Sequence, residues 1–154
     1  MKRHAQLVLL SWDHHHGLVL ALRIRRELAG ADETAFGRLF ADLLASWDAR
    51  LLPHFRAEQE CLLARLVRYV PKDDELITRT LHDHLSMAAL IATMRDREDS
   101  EFRVDAIHRF AETLRAHIRW EEEVLFEATQ QRLDENEMLA LGRDIAERLP
   151  GISR

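Results

Sequence analysis

A chain of 154 residues fits one domain, spanning 1–154, that buries roughly two thirds of its unfolded surface without help from disulfides. Its composition is 47% hydrophobic and 32% charged with only five Gly and three Pro, which excludes a turn-rich all-β fold and points to long amphipathic helices, an all-α chain. The formal charge of −5 is spread without long runs of one sign and Cys61 is the single cysteine, so neither a nucleic-acid partner nor an intrachain disulfide is expected, and a buried thiol in a reducing compartment is.

In chain order, the basic start Met1-Lys2-Arg3-His4 leads into an apolar run, Leu7 to Leu10, too short for a secretory signal. No stretch approaches the roughly 18 apolar residues of a membrane span; a cytoplasmic protein without a membrane partner is the expectation. The first helix is expected from Ser11, as N-cap, to Ala29, with Gly30 closing it and Asp32 capping the next. That second helix carries Phe36, Phe40, Leu43, Trp47, Leu51, His54, Glu58, Cys61 and Arg65 at spacings of three or four. Pro53 interrupts it and predicts a kink just before His54, unless the carbonyl it frees finds another donor. Pro71 ends the run, and Asp73 or Asp74 opens a third helix through Ile77, Leu81, His84, Ala88 and Ile91 to about Arg95. A fourth follows the charged segment 96–100 and spans Glu101 to Gln131. Asp134 and Glu137 form a capping box for a short fifth helix ending before Pro150. Four long helices with short joints imply an antiparallel up-down four-helix bundle with a short C-terminal fifth helix.

Two internal echoes stand out. His54 and Glu58 on the second helix, and His117 and Glu121 on the fourth, share the pattern H-x-x-x-E-x-E followed by three apolar residues. Trp12-Asp13-His14 and His82-Asp83-His84 open the apolar runs of the first and third helices. Residues four apart lie one turn apart on one helix face, so each H-x-x-x-E offers an imidazole and a carboxylate in one direction. Projected at about 100° per residue, both pairs fall on the apolar face of their helix. The same projection puts His14 with Leu18, Ala21 and Leu28, and turns His15 about 100° and His16 about 200° away. It puts His84 with Leu81, Ala88 and Ile91, and turns His82 about 160° away.

Burying these groups unpaired costs several kcal/mol each, and a cation is the simplest compensation. His14, His54, Glu58, His84, His117 and Glu121 are therefore the candidate metal ligands. Their mixed N and O character suits two iron or manganese ions, with zinc also compatible, and bridging carboxylates favour a two-metal centre. The remaining histidines, His4, His15, His16, His82 and His108, are assigned to the surface or to supporting roles. Glu60, Glu122 and Glu123 read as a solvated acidic face, with Glu122 the one best placed to back a ligand. Cys61, Trp12, Trp47 and Trp120 are assigned to packing.

At these residues the chain resembles the hemerythrin-like, or HHE cation-binding, family, marked by E-H or D-H near the start of helices 1 and 3 and H-x-x-x-E-E before L-F in helices 2 and 4. The resemblance runs from about Leu10 to Arg132 and implies that the same six residues are di-iron ligands. Three positions depart from the pattern: Thr80 stands where oxygen carriers place a further histidine, Gln59 where many relatives have a second Glu, and Glu127 where a Pro often follows L-F. No catalytic base, nucleophile or substrate-cleft motif accompanies the six. The reading is a protein that binds oxygen or a related small ligand such as nitric oxide, for storage, sensing or stress response. The alternatives are a di-iron redox enzyme acting on oxygen, peroxide or nitric oxide, and an iron-responsive regulatory module. A ferritin-like oxidase is disfavoured, because that family orders its motif E-x-x-H.

Overall fold

A computed structural model describes residues 2–149 and Gly151, and every regular element among them is helical. Helix α1 is Val8–Leu28, α2 covers 33–66, α3 is Glu75–Asp96, α4 covers 100–132, and α5 is Glu135–Arg148. Helix α1 starts earlier than the sequence suggested, and Ser11 lies inside it. The reason is a 3₁₀ turn, Ala5–Leu7, capped by the His4 ring, which accepts from the Gln6 N–H at 3.2 Å and so orders the chain before Ser11.

The other starts follow from aspartates whose carboxylates accept orphan backbone N–H groups. Asp32 accepts from Ala35 at 2.8 Å, Asp74 from Leu76 at 2.9 Å, and Asp99 from Phe102 at 3.2 Å. Asp134 and Glu137 close the expected capping box. No helix among the described residues is long and apolar enough to cross a membrane.

Helices α2 and α4 are not α-helical throughout. Wider π-helical turns occupy Trp47–Leu51, Glu58–Leu63 and Glu121–Leu125. The first answers the question raised by Pro53: the Leu52 N–H donates five residues back to the Trp47 carbonyl, and proline then sits in the first turn of the next α-helical stretch, Leu52–Ala57, where its missing N–H is tolerated. The other two open at Glu58 and Glu121 themselves.

Two apolar clusters fill the interior. Leu10, Leu62, Leu66, Phe126, Leu141 and Ile145 belong to one, in which α5 packs over the ends of α1, α2 and α4. The other gathers Ile24, Leu43, Trp47, Phe55, Met87, Phe110 and Leu114. Helix α1 lies close against α4, where a Cβ added at Gly17 would stand 2.8 Å from Ile118 Cδ1.

The inward stripes differ in detail from the projected ones. On α1 the buried row is Leu10, His14, Gly17, Ala21 and Ile24, and on α3 it is Ile77, Thr80, His84, Met87, Ile91 and Met94. Leu18 and Leu81 lie on the flanks of their helices and stay exposed. Trp47 and Trp120 pack inside as expected, but Trp12 does not: it is 43% exposed, on the outer face of α1.

Candidate metal centre

All six sequence-selected residues converge between the two apolar clusters, each at most 4% exposed. They come from all four long helices: His14 from α1, His54 and Glu58 from α2, His84 from α3, and His117 and Glu121 from α4. Their donor atoms form two clusters, His14, His54, Glu58 and Glu121 in one, Glu58, His84, His117 and Glu121 in the other, with the atoms of each within 4.8 Å of one another.

The two carboxylates are common to both clusters, and their oxygens are divided between them. Glu58 Oε1 lies 2.8 Å from His54 Nε2 and 3.4 Å from His14 Nε2, while its Oε2 lies 3.2 Å from His84 Nε2. Glu121 Oε2 lies 3.1 Å from His14 Nε2, while its Oε1 lies 3.2 Å from His117 Nε2 and 3.9 Å from His84 Nε2. Donors sharing one cation at about 2.1 Å stand about 3 Å apart, which these separations match. His14 Nε2, His54 Nε2 and both oxygens of Glu58 and Glu121 are buried without a hydrogen-bond partner, and His84 Nε2 faces His117 Nε2 at 3.2 Å. Inward donors left in this state are costly in an apolar interior and fit a pair of cations.

Each histidine turns Nε2 inward and Nδ1 outward, and the groups that receive the four Nδ1 atoms follow one rule. Asp13 on α1 lies 2.9 Å from His54 on α2. Gln59 on α2 lies 3.0 Å from His84 on α3. Asp83 on α3 lies 3.2 Å from His117 on α4. Glu122 on α4 lies 2.7 Å from His14 on α1. Each helix thus holds the histidine of the next, and the four contacts close a ring. Behind them, Arg50 stands 3.5 Å from Asp13 and Arg3 2.7 Å from Glu122.

Of these supports, Glu122 is the acid the sequence singled out. Asp13, Asp83 and Gln59 were not assigned the role; the repeated D-H was the signal, but each aspartate serves a histidine on a different helix from its own. Aromatic rings wall the site, with Phe126 stacked on His14 at 5.2 Å and Phe55 on His84 at 4.1 Å between centroids. His15, His16, His82 and His108 are exposed, as are Glu60 and Glu123, and Cys61 is buried. Thr80 is buried and donates its hydroxyl to the Leu76 carbonyl at 2.9 Å.

Charge pairing dominates the protonation of the metal-free site. Burial disfavours the charged ring of His14, but the Glu121, Glu122 and Glu58 carboxylates facing it outweigh that penalty and hold its pKa well above the ordinary value. Burial likewise opposes the His54 imidazolium, and Glu58 with Asp13 reverses this and lifts the ring to about 9. His117 is raised against burial by Glu121 and Asp83. On the acid side, Glu58 is driven well below the carboxylate range despite burial, chiefly by His54, and Glu122, also against burial, falls to about 2, chiefly through His14.

An all-helical chain with two adjoining histidine–carboxylate clusters sharing their carboxylates defines a helical cation-binding protein. The model of the hemerythrin HHE cation binding domain matches residues 10–129, and the chain belongs to that family. Comparison with curated proteins and with solved structures returns no match.

Proposed function

We propose that this is a single-domain, cytoplasmic hemerythrin-like protein in which an antiparallel up-down four-helix bundle holds two iron ions. His14 and His54 would hold one ion and His84 and His117 the other, with Glu58 and Glu121 shared between the two. The observation that carries this reading is the division of the carboxylate oxygens, one of each toward each histidine pair. Iron in this position supplies a redox-active centre with affinity for small diatomic molecules. The chain's contribution is to orient four imidazoles, to supply compensating negative charge, and to keep water out through Phe55, Phe126 and the two apolar clusters.

The ligand in this reading is oxygen or nitric oxide, bound reversibly rather than turned over, for storage, sensing or stress response. It is supported by the apolar walls of the site. The test is metal analysis of protein produced with iron, with absorption spectra before and after air exposure. Two irons per chain and a visible charge-transfer band are expected; under one iron per chain with no band would overturn the di-iron reading.

One observation favours a redox enzyme as the second reading. Thr80 donates its hydroxyl to backbone, so the position one turn before His84 adds no third imidazole to that half. Rapid mixing of reduced protein with oxygen and with nitric oxide separates the two readings: an adduct that reverses on removing the gas supports binding, and fast irreversible oxidation supports catalysis.

A further inference from the structure

The ring of supports is not uniform. Three of the four outward nitrogens face carboxylates, Asp13, Asp83 and Glu122, while His84 alone faces an amide, Gln59. The difference falls at matching positions of the internal echo, since Gln59 follows Glu58 and Glu122 follows Glu121.

A metal on Nε2 requires the imidazole proton on Nδ1, and so an acceptor facing Nδ1. A carboxylate only accepts, and its charge makes the ring a stronger donor to the metal. Gln59 instead presents a neutral amide 3.0 Å from His84 Nδ1, whose only acceptor is its carbonyl oxygen. With its oxygen toward Nδ1 the amide accepts, but without the full negative charge that the three carboxylates bring.

A surface cleft also reaches His84. A cleft of about 210 Å³ between α2 and α3 is lined by Phe55, Gln59, Leu81, Leu85 and His84 itself, and Leu85 beside it is 70% exposed. Neither Asp nor Glu lines it.

We propose, resting on the two-metal reading, that the His84–His117 half holds its metal more loosely than the His14–His54 half and exchanges it first, and that Gln59 is the positioning residue that sets this difference. Outer supports of this kind change metal affinity by about 10–100-fold, which is the gap expected between the two halves.

The probe is zinc, titrated into metal-free full-length protein against a chromophoric chelator, with far-ultraviolet circular dichroism confirming the fold of each variant. The wild type should take up two zinc ions in two steps separated by about 10–100-fold. Gln59→Glu should tighten the weaker step by a similar factor and leave the stronger step alone. The reciprocal Glu122→Gln should weaken the stronger step, drawing the two together. Two equal steps in the wild type, or a Gln59→Glu variant that shifts the stronger step or neither, would overturn the proposal. Saturation below two zinc ions in both wild type and Gln59→Glu would overturn the two-metal reading itself, and this proposal with it.

Discussion

At the scale of single residues, what separates candidate ligand from bystander is position within a turn. His14, His15 and His16 are chemically identical, yet only His14 is buried, because steps of about 100° carry the next two out of the interior. His54→Ala and His117→Ala are each expected to abolish uptake of at least one metal per chain, and His15→Ala and His82→Ala to leave uptake unchanged, as read by metal analysis after desalting; the reverse pattern would reject the assignment. Asp13→Asn and Asp83→Asn keep the side-chain shape but replace an anionic acceptor, so each should weaken binding by about 10–100-fold in a chelator competition. The six candidate ligands were legible in the sequence because i,i+4 spacing and an apolar stripe are local facts. The contacts of Asp13 with His54 and Asp83 with His117 were not, because they depend on how neighbouring helices are placed, which no projection of one helix contains.

At the scale of elements, the π-helical turns explain why long α2 and α4 keep one face inward. Buried positions recur every four residues as Leu43, Trp47, Leu51 and Phe55, again as His54, Glu58, Leu62 and Leu66, and again as His117, Glu121, Leu125 and Thr129. In a regular α-helix each such step drifts by about 40°, so a row of four would wind off the core. The three π-helical turns fall within these rows and take up the drift. The spacing was present in the sequence, but reading it at a fixed angle per residue concealed its meaning. Adjacent residues on the third turn test the register. Leu125 is fully buried and Val124 is 42% exposed, so in denaturant unfolding of metal-free protein Leu125→Ala should cost about 2–5 kcal/mol and Val124→Ala less than about 0.5 kcal/mol. Similar losses at both would mean that the turn is not wound this way.

At the scale of the whole molecule, site and stability are linked through protons. His54 titrates at about 9 in the folded metal-free protein against an ordinary value of 6.5, and His14 and His117 are also raised. A raised pKa means the folded state holds the proton more tightly than the unfolded chain, so this stabilisation is complete below about pH 6.5 and is lost as pH rises through about 9. Metal must displace the same protons and gains affinity over that window. The melting temperature of metal-free protein should therefore fall between pH 6.5 and 9 while that of metal-loaded protein changes less; scanning calorimetry of both forms checks this, and a constant gap would contradict it. The division of each carboxylate between two clusters also bears on when metal can be captured. Both clusters include Glu121, which lies on α4 behind 120 residues of chain. During synthesis from the N-terminus, a chain that has formed α1, α2 and α3 offers neither complete cluster. A complete set of donors for either cluster thus exists only once the last long helix has docked.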